Sequence, residues 1–382
     1  DRGFNTPLVA DVHFNPNVAD VAAKYVEKVR INPGNYVDPA RTFKELEYTD
    51  AEYADEIEKI RRRFIPFLEI CKENKTAIRI GVNHGSLSDR IMCRYGNTPE
   101  GMVESCMEFL RICVEQNFTD VVLSIKASNT TVMVQTVRLL VKQMDKENMS
   151  FPIHLGVTEA GEGEDGRIKS AVGIGALLGE GIGDTIRVSL SEAPEREIPV
   201  AVKLVEYAEE SATKRAEAKA GIKDETIYLE YNEESLEDLQ LKAAMDAGAL
   251  LIDGFAKELI ITNSNNSISK EQLTDTANAI LQAARIRFTK PEYISCPGCG
   301  RTLYNLEETI AKIKQATSHL VGVKIAIMGC IVNGPGEMAD ADFGYVGAGR
   351  GKISLYKGKE CVEKNIPEED AVKKLLNLIE NS

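Results

Sequence analysis

The chain has 382 residues, of which 43% are hydrophobic and 27% charged, and this composition excludes an intrinsically disordered protein. Its formal net charge of -13, with lysine and arginine dispersed along the chain, excludes a nucleic-acid-binding surface. No run approaches the ~18 apolar residues of a membrane span, and the first residues lack a basic segment followed by an apolar core, so we expect a cytoplasmic protein with no membrane contact.

Six short apolar runs in the first half of the chain predict β-strands. They lie at residues 7–13, 28–32, 77–83, 121–127, 152–159 and 185–190. Each is apolar through most of its length, which is typical of strands covered on both faces of a parallel sheet. Helical stretches separate them, and Asn15-Pro16 and Thr98-Pro99 each supply a cap followed by proline at the first helical position. This alternation predicts an α/β fold with a TIM-type (β/α) barrel.

The barrel is expected to be incomplete. A closed barrel of this class has eight strands, and only six are visible in the sequence. Because the chain opens almost directly in a strand, we expect that about two βα units are missing from the N-terminus by truncation or processing. We assign residues 1–205 to the barrel and residues 206–287, which begin with a charged helix-favouring run, to a connector.

Residues 288–382 predict a second, smaller α/β domain. Asn305 followed by Glu308 is typical of a helix start. The run VKIAIMGCIV predicts a buried strand, and GYVGAGRGKISLYKGKECV predicts short strands with glycine turns. Pro367 is expected to open a last amphipathic helix that reaches Ile379.

Polar and cationic side chains follow the predicted barrel strands, at the ends where such barrels carry their active sites. They are Asp11, His13, Arg30, Asn32, Asn35, Arg79, Asn83, His84, Lys126, His154, Thr158, Glu159, Arg187 and Ser189. Each one alone is more often a salt bridge or a capped loop residue. Together, three arginines and a lysine at one end of the barrel repel each other unless an anion lies between them. A guanidinium group can bind two phosphate oxygens at once. We therefore predict a phosphate or diphosphate ester as ligand, with Glu159 either neutralising Arg187 or donating a proton.

The cysteines divide into two groups. Cys71, Cys93, Cys106 and Cys113 lie in or near helical patterns, where a small buried hydrophobic residue is the expected role. Cys296 and Cys299 form a Cys-x-x-Cys pair, and Cys330 is followed by Glu337 beyond a Gly-Pro-Gly turn. Three thiolates and one carboxylate favour an iron–sulfur cluster in which the carboxylate leaves one iron able to accept a substrate oxygen. A zinc site that includes His319 is the alternative.

These motifs resemble a known family. The segments ADVHF, RINPGN, RIGVNHGS, SIKAS, HLGVTEAGEGEDGRIKSA, GIGDTIRVSL, CPGCGRT and GCIVNGPGEMADADFGYVG are similar to those of 4-hydroxy-3-methylbut-2-enyl diphosphate synthases of the methylerythritol phosphate route to isoprenoids, in the longer form. The resemblance covers residues 7–205 and 288–382. It implies a substrate-binding barrel and a C-terminal domain carrying a [4Fe-4S] cluster.

The resemblance also implies roles for individual residues. The cluster ligands would be Cys296, Cys299, Cys330 and Glu337, with Glu159 and Glu337 as catalytic residues. The substrate contacts would be Asp11, His13, Arg30, Asn32, Arg79, Asn83, Lys126, His154, Arg187 and Ser189. The reaction would open the ring of 2-C-methyl-D-erythritol 2,4-cyclodiphosphate by two-electron reduction with loss of water, using reduced ferredoxin or flavodoxin.

Two departures and two competing hypotheses accompany the resemblance. We expect that the first two βα units of the family are absent and that residues 206–287 are the remnant of a much larger inserted domain. Whether barrel and cluster meet within one chain or across a homodimer stays open, and we favour a homodimer. The competing hypotheses are a phosphate-binding barrel with a zinc-stabilised C-terminal domain and no redox role, and a non-catalytic scaffold that retains the cluster.

Overall fold

The computed structural model describes residues 3, 5–38, 47–298, 301–302, 304–331, 334–338 and 340–382, apart from the side chains of Pro335 and Glu337. These residues form two compact units. The first contains the chain up to Lys126, Gln135–Leu155 and Gly183–Thr185. The second contains Ala127–Val134, Gly156–Ile182 and Ile186–Ser382.

The first unit is built on a parallel sheet. Its strands are β1 (Val9–Asp11), β2 (Lys28–Ile31), β3 (Ala77–Asn83) and β4 (Val121–Lys126), in the order β1-β2-β3-β4. A parallel bridge between Leu123 and Ile153 leads to β5 (His154–Leu155), and β5 pairs with β6 (Thr185–Ile186). All six predicted strands are therefore present, in consecutive order.

The last two strands are much shorter than predicted. The sequence favours a strand over 152–159, but the regular strand ends at Leu155 and is followed only by an isolated parallel bridge between Ala127 and Val157. Glu159 and Gly161 then adopt positive φ angles of 47° and 100°, which no regular strand contains. The segment that contains Glu159 and Gly161 therefore forms a loop after β5 instead of a longer strand.

Six helices accompany these strands. They are α1 (Pro16–Ala22), α2 (Pro33–Tyr36), α3 (Asp50–Asn74), α4 (Asp89–Tyr95), α5 (Pro99–Glu115) and α6 (Thr130–Lys146). Both predicted caps are confirmed: Asn15 accepts the Asn17 N–H at 3.1 Å and Thr98 accepts the Gly101 N–H at 3.2 Å. Phe64 and Phe109 pack edge to face at 5.0 Å and help to fix α3 against α5.

The second unit begins with an arrangement that the sequence only partly predicts. Its elements are α7 (Gly163–Leu178), α8 (Glu197–Ala220), β7 (Thr226–Tyr231), α9 (Leu236–Ile252), β8 (Glu258–Asn263) and α10 (Lys270–Ala283). The strands β7 and β8 pair in parallel. Helices α7 and α9 approach each other closely at Gly175. A Cβ on this residue would lie only 2.5 Å from Cγ of Met245 in α9. The segment between the predicted domains is therefore packed rather than extended.

The C-terminal part of this unit is a five-stranded mixed sheet with helices. Its elements are β9 (Glu292–Ser295), α11 (Leu306–Thr317), β10 (Lys324–Met328), α12 (Gly334–Glu337), β11 (Phe343–Gly349), β12 (Lys352–Lys357), β13 (Glu360–Pro367) and α13 (Glu368–Glu380). The order is β13-β12-β11-β10-β9, with β9, β10 and β11 parallel. Ile310, Tyr345 and Leu375 are fully buried in its core. The predicted helix starts at Asn305 and Pro367 are confirmed.

The helical cysteines are buried in three of four cases. Cys71, Cys106 and Cys113 are buried, and burial raises the pKa of the Cys71 and Cys106 thiols to about 12. The expectation for Cys93 is wrong, because this side chain is exposed. Ile91 on the same helix faces the core, and a residue two positions further along an α-helix points to the opposite side. Within the described ranges, no helix is long and apolar enough to cross a bilayer.

Candidate functional site

A row of three charged side chains crosses the first unit. Asp11, Arg30 and Arg79 are direct partners in the registers of β1, β2 and β3. Registered residues of neighbouring strands project from the same face of a sheet. An anion and two cations therefore share one face.

Arg30 is the centre of this row. Its side chain is 6% exposed, and one terminal nitrogen donates to Oδ1 of Asp11 at 2.8 Å and lies against Nε2 of His13. The other donates to the Gly81 carbonyl at 2.7 Å and to Oδ1 of Asn83 at 2.9 Å. The guanidinium thus joins the ends of three strands, and Asp11 compensates its charge.

Gly81 makes this arrangement possible. A Cβ at this position would lie 2.3 Å from Nε of Arg30, which is closer than any real contact. The glycine in the motif RIGVN is therefore required by the close approach of a side chain from the neighbouring strand.

The electrostatics of Asp11 follow from the same contacts. Partial burial raises the pKa of its carboxyl, but the hydrogen bond with His13 and the charge of Arg30 together hold that pKa well below the ordinary value of 3.8. Nε2 of His13 lies 3.3 Å from the carboxylate. Asp11 is therefore anionic throughout the physiological range.

The remaining predicted residues of the first unit also lie at strand ends. Asn32 caps α2 by accepting the Gly34 N–H at 3.1 Å and donates to Ser86 at 2.7 Å. Asn83 and Lys126 are register partners in the last positions of β3 and β4. His154 in β5 is 8% exposed and its Nδ1 lies 2.8 Å from the hydroxyl of Thr185. Asn32, Asn83 and Lys126 thus lie at or directly after strand ends, and binding of a diphosphate stays a prediction.

In the second unit, Glu159 is a buried carboxylate on a strained backbone. Glu159 is 6% exposed. Its backbone φ angle of 47° lies in the left-handed region, which is unfavourable for residues with a Cβ. Such strain is often kept where a side chain must be aimed at a reacting group. The next residue, Ala160, forms a parallel bridge with Ser295, directly before Cys296.

Arg187 and Ser189 follow β6. Nε of Arg187 lies 3.8 Å from Oε2 of Glu197, and 43% of the arginine side chain is exposed. Ser189 is 5% exposed. Arg187 thus has an acidic partner at the start of the next helix, and its side chain stays partly exposed.

Two cysteines follow neighbouring strands. Cys296 follows β9 and Cys330 follows β10 by two residues, and β9 and β10 are parallel partners. The N–H of Gly329, the residue before Cys330, donates to Sγ of Cys296 at 3.2 Å. Carboxyl ends of adjacent parallel strands meet at one sheet edge, so this contact follows from the topology.

The surroundings of Cys296 oppose ionisation of the free thiol. Burial raises its pKa to about 11, the charges of Glu159 and Cys330 act in the same direction, and the N–H groups of Gly329 and Gly298 act against it. Glu159, Cys296 and Cys330 therefore belong to one electrostatic neighbourhood. A bound metal stabilises a thiolate in such surroundings, because the metal charge outweighs the cost of burial.

The remaining two predicted cluster ligands are only partly described. Cys299 lies outside the described residues, and Glu337 ends α12 without a described side chain. The residues that are described fit an iron–sulfur cluster, since Cys296 and Cys330 follow neighbouring parallel strands and a main-chain N–H is directed at the sulfur of Cys296. His319 is exposed and precedes β10, whereas Cys330 follows it, so this strand separates the histidine of the zinc alternative from the sulfurs.

Sequence reasoning missed the residues that hold β9 in place. At its start, Glu292 accepts from Nζ of Lys169 at 2.8 Å and pairs with Arg285. Burial raises the pKa of Glu292, but the positive charges of Lys169 and Arg285 have the larger combined effect and lower that pKa to about 2. At its end, Ser191 contacts Ser295 and Cys296. The contacts of Glu292 with Lys169 and of Ser191 with Ser295 and Cys296 join residues more than a hundred positions apart, which no local pattern indicates.

The fold and the site define a class: a (β/α) barrel-type domain with charged strand ends, followed by an α/β domain that pairs two cysteines at a sheet edge. The family model described as "GcpE TIM-barrel domain" matches residues 1–202, and that described as "GcpE protein C-terminal domain" matches residues 292–381. The chain belongs to the GcpE family.

Curated relatives match almost the whole chain. It is similar to proteins named "4-hydroxy-3-methylbut-2-en-1-yl diphosphate synthase (flavodoxin)" from Phocaeicola vulgatus, at 52% identity over 99% of this chain and 86% of the relative, and Bacteroides thetaiotaomicron, at 53% over 100% and 86%. The one from Protochlamydia amoebophila is 37% identical over 99% of this chain and 85% of the relative. The family resemblance expected from the motifs is thereby confirmed.

The alignments also show what this chain lacks. The match to the Phocaeicola vulgatus protein runs over 526 positions, against 382 residues in this chain. The relative therefore contains internal segments that have no counterpart here.

Proposed function

We propose that this chain is an oxidoreductase that converts 2-C-methyl-D-erythritol 2,4-cyclodiphosphate to 4-hydroxy-3-methylbut-2-enyl diphosphate. Two electrons enter the substrate, the ring bond between carbon and a diphosphate oxygen breaks, and a hydroxyl group leaves as water. The observation that supports this most directly is the contact between Cys296 and Gly329, the residue before Cys330, in a chain that both family models match. The printed name of the relatives favours reduced flavodoxin as electron donor over ferredoxin.

We further propose that the chain divides into a substrate-binding barrel at 1–205, a remnant of an inserted domain at 206–287 and a cluster domain at 288–382. The gaps in the alignments support the second assignment, because the relatives carry internal segments that this chain lacks. The packed β7-α9-β8-α10 arrangement would then be the part of the insert that remains.

The [4Fe-4S] cluster would be held by Cys296, Cys299, Cys330 and Glu337. A cluster of this kind supplies electrons one at a time. The N–H groups of Gly329 and Gly298 would donate to the sulfur of Cys296 and stabilise its negative charge. The carboxylate of Glu337 would be the more easily displaced ligand, because an oxygen donor binds iron less tightly than a thiolate.

The diphosphate would be bound by cationic and hydrogen-bonding side chains at the barrel strand ends. Arg30 is engaged by Asp11, His13, Gly81 and Asn83, so its role is to organise the strand ends as much as to contact the anion. Arg79, Lys126 and Arg187 would supply the remaining positive charge. Asn32, Asn83, His154 and Ser189 would contribute hydrogen bonds.

Glu159 would deliver the proton with which the leaving hydroxyl becomes water. Its carboxyl is buried, so it is shielded from bulk water and lies close to Cys296. Its strained backbone and its proximity to Cys296 support placement beside the reacting carbon rather than a role in the fold alone.

The first test is the iron, zinc and acid-labile sulfide content of protein purified without oxygen, followed by turnover of the cyclodiphosphate with reduced flavodoxin. About four irons and four sulfides per chain, with turnover, are expected. Zinc without sulfide would overturn the redox reaction in favour of a phosphate-binding barrel. A cluster without substrate-dependent consumption of electrons would identify a scaffold. Sedimentation of the same sample tests the homodimer.

A further inference from the structure

Ser191 connects the barrel-type segment of the second unit to a cluster cysteine. The residue is 2% exposed, and its hydroxyl lies 3.1 Å from the carbonyl oxygen of Ser295, 3.1 Å from that of Cys296 and 2.7 Å from Oγ of Ser295. A serine hydroxyl has one proton and two lone pairs. Both carbonyl oxygens are acceptors for its single proton, and in the contact with the Ser295 hydroxyl either oxygen is in position to donate.

The main chain of Ser191 is fixed as well. Its N–H donates to the Gly161 carbonyl at 2.8 Å, and the neighbouring Glu192 accepts from the Gly163 N–H at 2.7 Å. Ala160 in the same loop forms the parallel bridge with Ser295. One serine thus joins three segments: its own, which carries Arg187 and Ser189, the loop of Glu159, and the end of β9.

We propose that Ser191 is a positioning residue that fixes the thiolate of Cys296 relative to Glu159 and to the segment of Arg187 and Ser189. The inference rests on the proposed function, because it assigns Ser191 to the geometry of that reaction. Ser191 itself binds neither substrate nor iron in this proposal. It acts through the carbonyl oxygens of the two peptide bonds that flank the α-carbon of Cys296.

The fold does not depend on this contact. The start of β9 is anchored separately by Glu292 with Lys169 and Arg285, and the strand pairs with β10 over four residues. Removal of the Ser191 hydroxyl therefore leaves β9 in its sheet and loosens only its last residue and Cys296. A variant that folds normally but places the sulfur less well is the expected outcome.

The test compares Ser191→Ala with wild type and with Ser170→Ala in the full chain purified without oxygen. Ser170 is a matched control, since it is fully buried and its hydroxyl bonds only within α7, to Gly166 at 2.8 Å. For Ser191→Ala we expect kcat to fall about tenfold with KM changed less than about twofold, because loss of a residue that orients a metal ligand typically costs ~10- to 100-fold. The reduction potential of the cluster, followed by electron paramagnetic resonance, is expected to shift in Ser191→Ala. Ser170→Ala is expected to match wild type in kcat, KM and reduction potential.

A second measurement reads the position of Cys296 without the cluster. In the iron-free full chain, alkylation of Cys296 by iodoacetamide is expected to be about fivefold faster in Ser191→Ala, which corresponds to the loss of about one hydrogen bond, with Cys330 as internal reference. Wild-type kcat, potential and alkylation rate in Ser191→Ala would overturn the inference. Absence of cluster and turnover in wild type would instead overturn the proposed function, and the alkylation rates would still decide whether Ser191 positions Cys296.

Discussion

Nζ of Lys169 in α7 lies 2.8 Å from Oε1 of Glu292 in β9, and the two side chains are each only 7% exposed. With Arg285 on the other carboxylate oxygen, this contact anchors the strand that leads to Cys296. It is a buried charge cluster, in which removal of one member leaves the others uncompensated.

Glu292→Gln is expected to lower the free energy of unfolding by about 3 kcal/mol at pH 7. The pKa of Glu292 is lowered from 4.5 to about 2, so its contribution to stability is fully present above about pH 4.5 and is lost as the pH falls through about 2. The difference between wild type and variant should therefore shrink below pH 4.5 in urea titrations. Glu258→Gln removes an exposed ion pair with Arg287 and should change stability by about 0.5 kcal/mol or less. A constant difference down to pH 2 would contradict the assignment.

Gly81→Ala tests the close packing of Arg30 on β3. The added Cβ would lie 2.3 Å from Nε of Arg30 and must displace the guanidinium from Asn83 and the Gly81 carbonyl. We expect a loss of about 1–3 kcal/mol in unfolding free energy, together with a raised KM for the cyclodiphosphate. Gly221→Ala is the control, because a Cβ there would meet only carbonyl oxygens at 3.6 Å. Unchanged stability and KM in Gly81→Ala would show that Arg30 tolerates another position.

Cys330→Ser tests the role of the paired sulfurs. A hydroxyl is a poor replacement for a thiolate on iron, so we expect the variant to lose most of its iron and sulfide and all measurable turnover. Cys93→Ser changes an exposed thiol in α4 and should retain both. Full iron content and full activity in Cys330→Ser would show that Cys330 is not a ligand of the cluster.

Glu159→Gln is expected to reduce kcat by about 10²-fold or more, since general acid catalysis contributes about 10²- to 10⁴-fold. The amide keeps the size and the hydrogen-bonding capacity of the side chain, so KM and cluster content should change little. Glu164→Gln, an exposed residue in the first turn of α7, is the matched control. A fall in cluster content parallel to the fall in kcat would mean that Glu159 supports the metal site instead of the proton transfer.

Gly175→Ala tests whether the segment 206–287 is packed as an integral part of the second unit. A Cβ on this residue would lie 2.5 Å from Cγ and 3.1 Å from Cα of Met245 in α9. Overpacking of a buried helix contact costs about 1–3 kcal/mol, which thermal or urea unfolding would reveal. Absence of any effect would indicate that α9 is free to move away from α7.

The helix starts were predicted correctly from short sequence patterns. The caps at Asn15, Thr98 and Asn305 and the helix that follows Pro367 were predicted correctly, because a cap depends on residues within one turn of the helix. The strand β7 was missed, since the polar residues of TIYLEY alternate with apolar ones in a short run between charged segments. Cys93 was assigned to the interior because composition indicates that a helix has a buried side but not which cysteine faces it.

The class of domain, the family and the strand ends at which charged residues gather can be predicted from the sequence, because strands, helices and motifs depend on short stretches of neighbouring residues. Which of those residues contact each other is known only from the folded chain. Arg30 is held by Asp11 and lies across Gly81, and Ser191 reaches Cys296 across more than a hundred residues of chain. Such contacts depend on strand register and on packing between distant segments, and these are properties of the folded chain rather than of any one stretch of it.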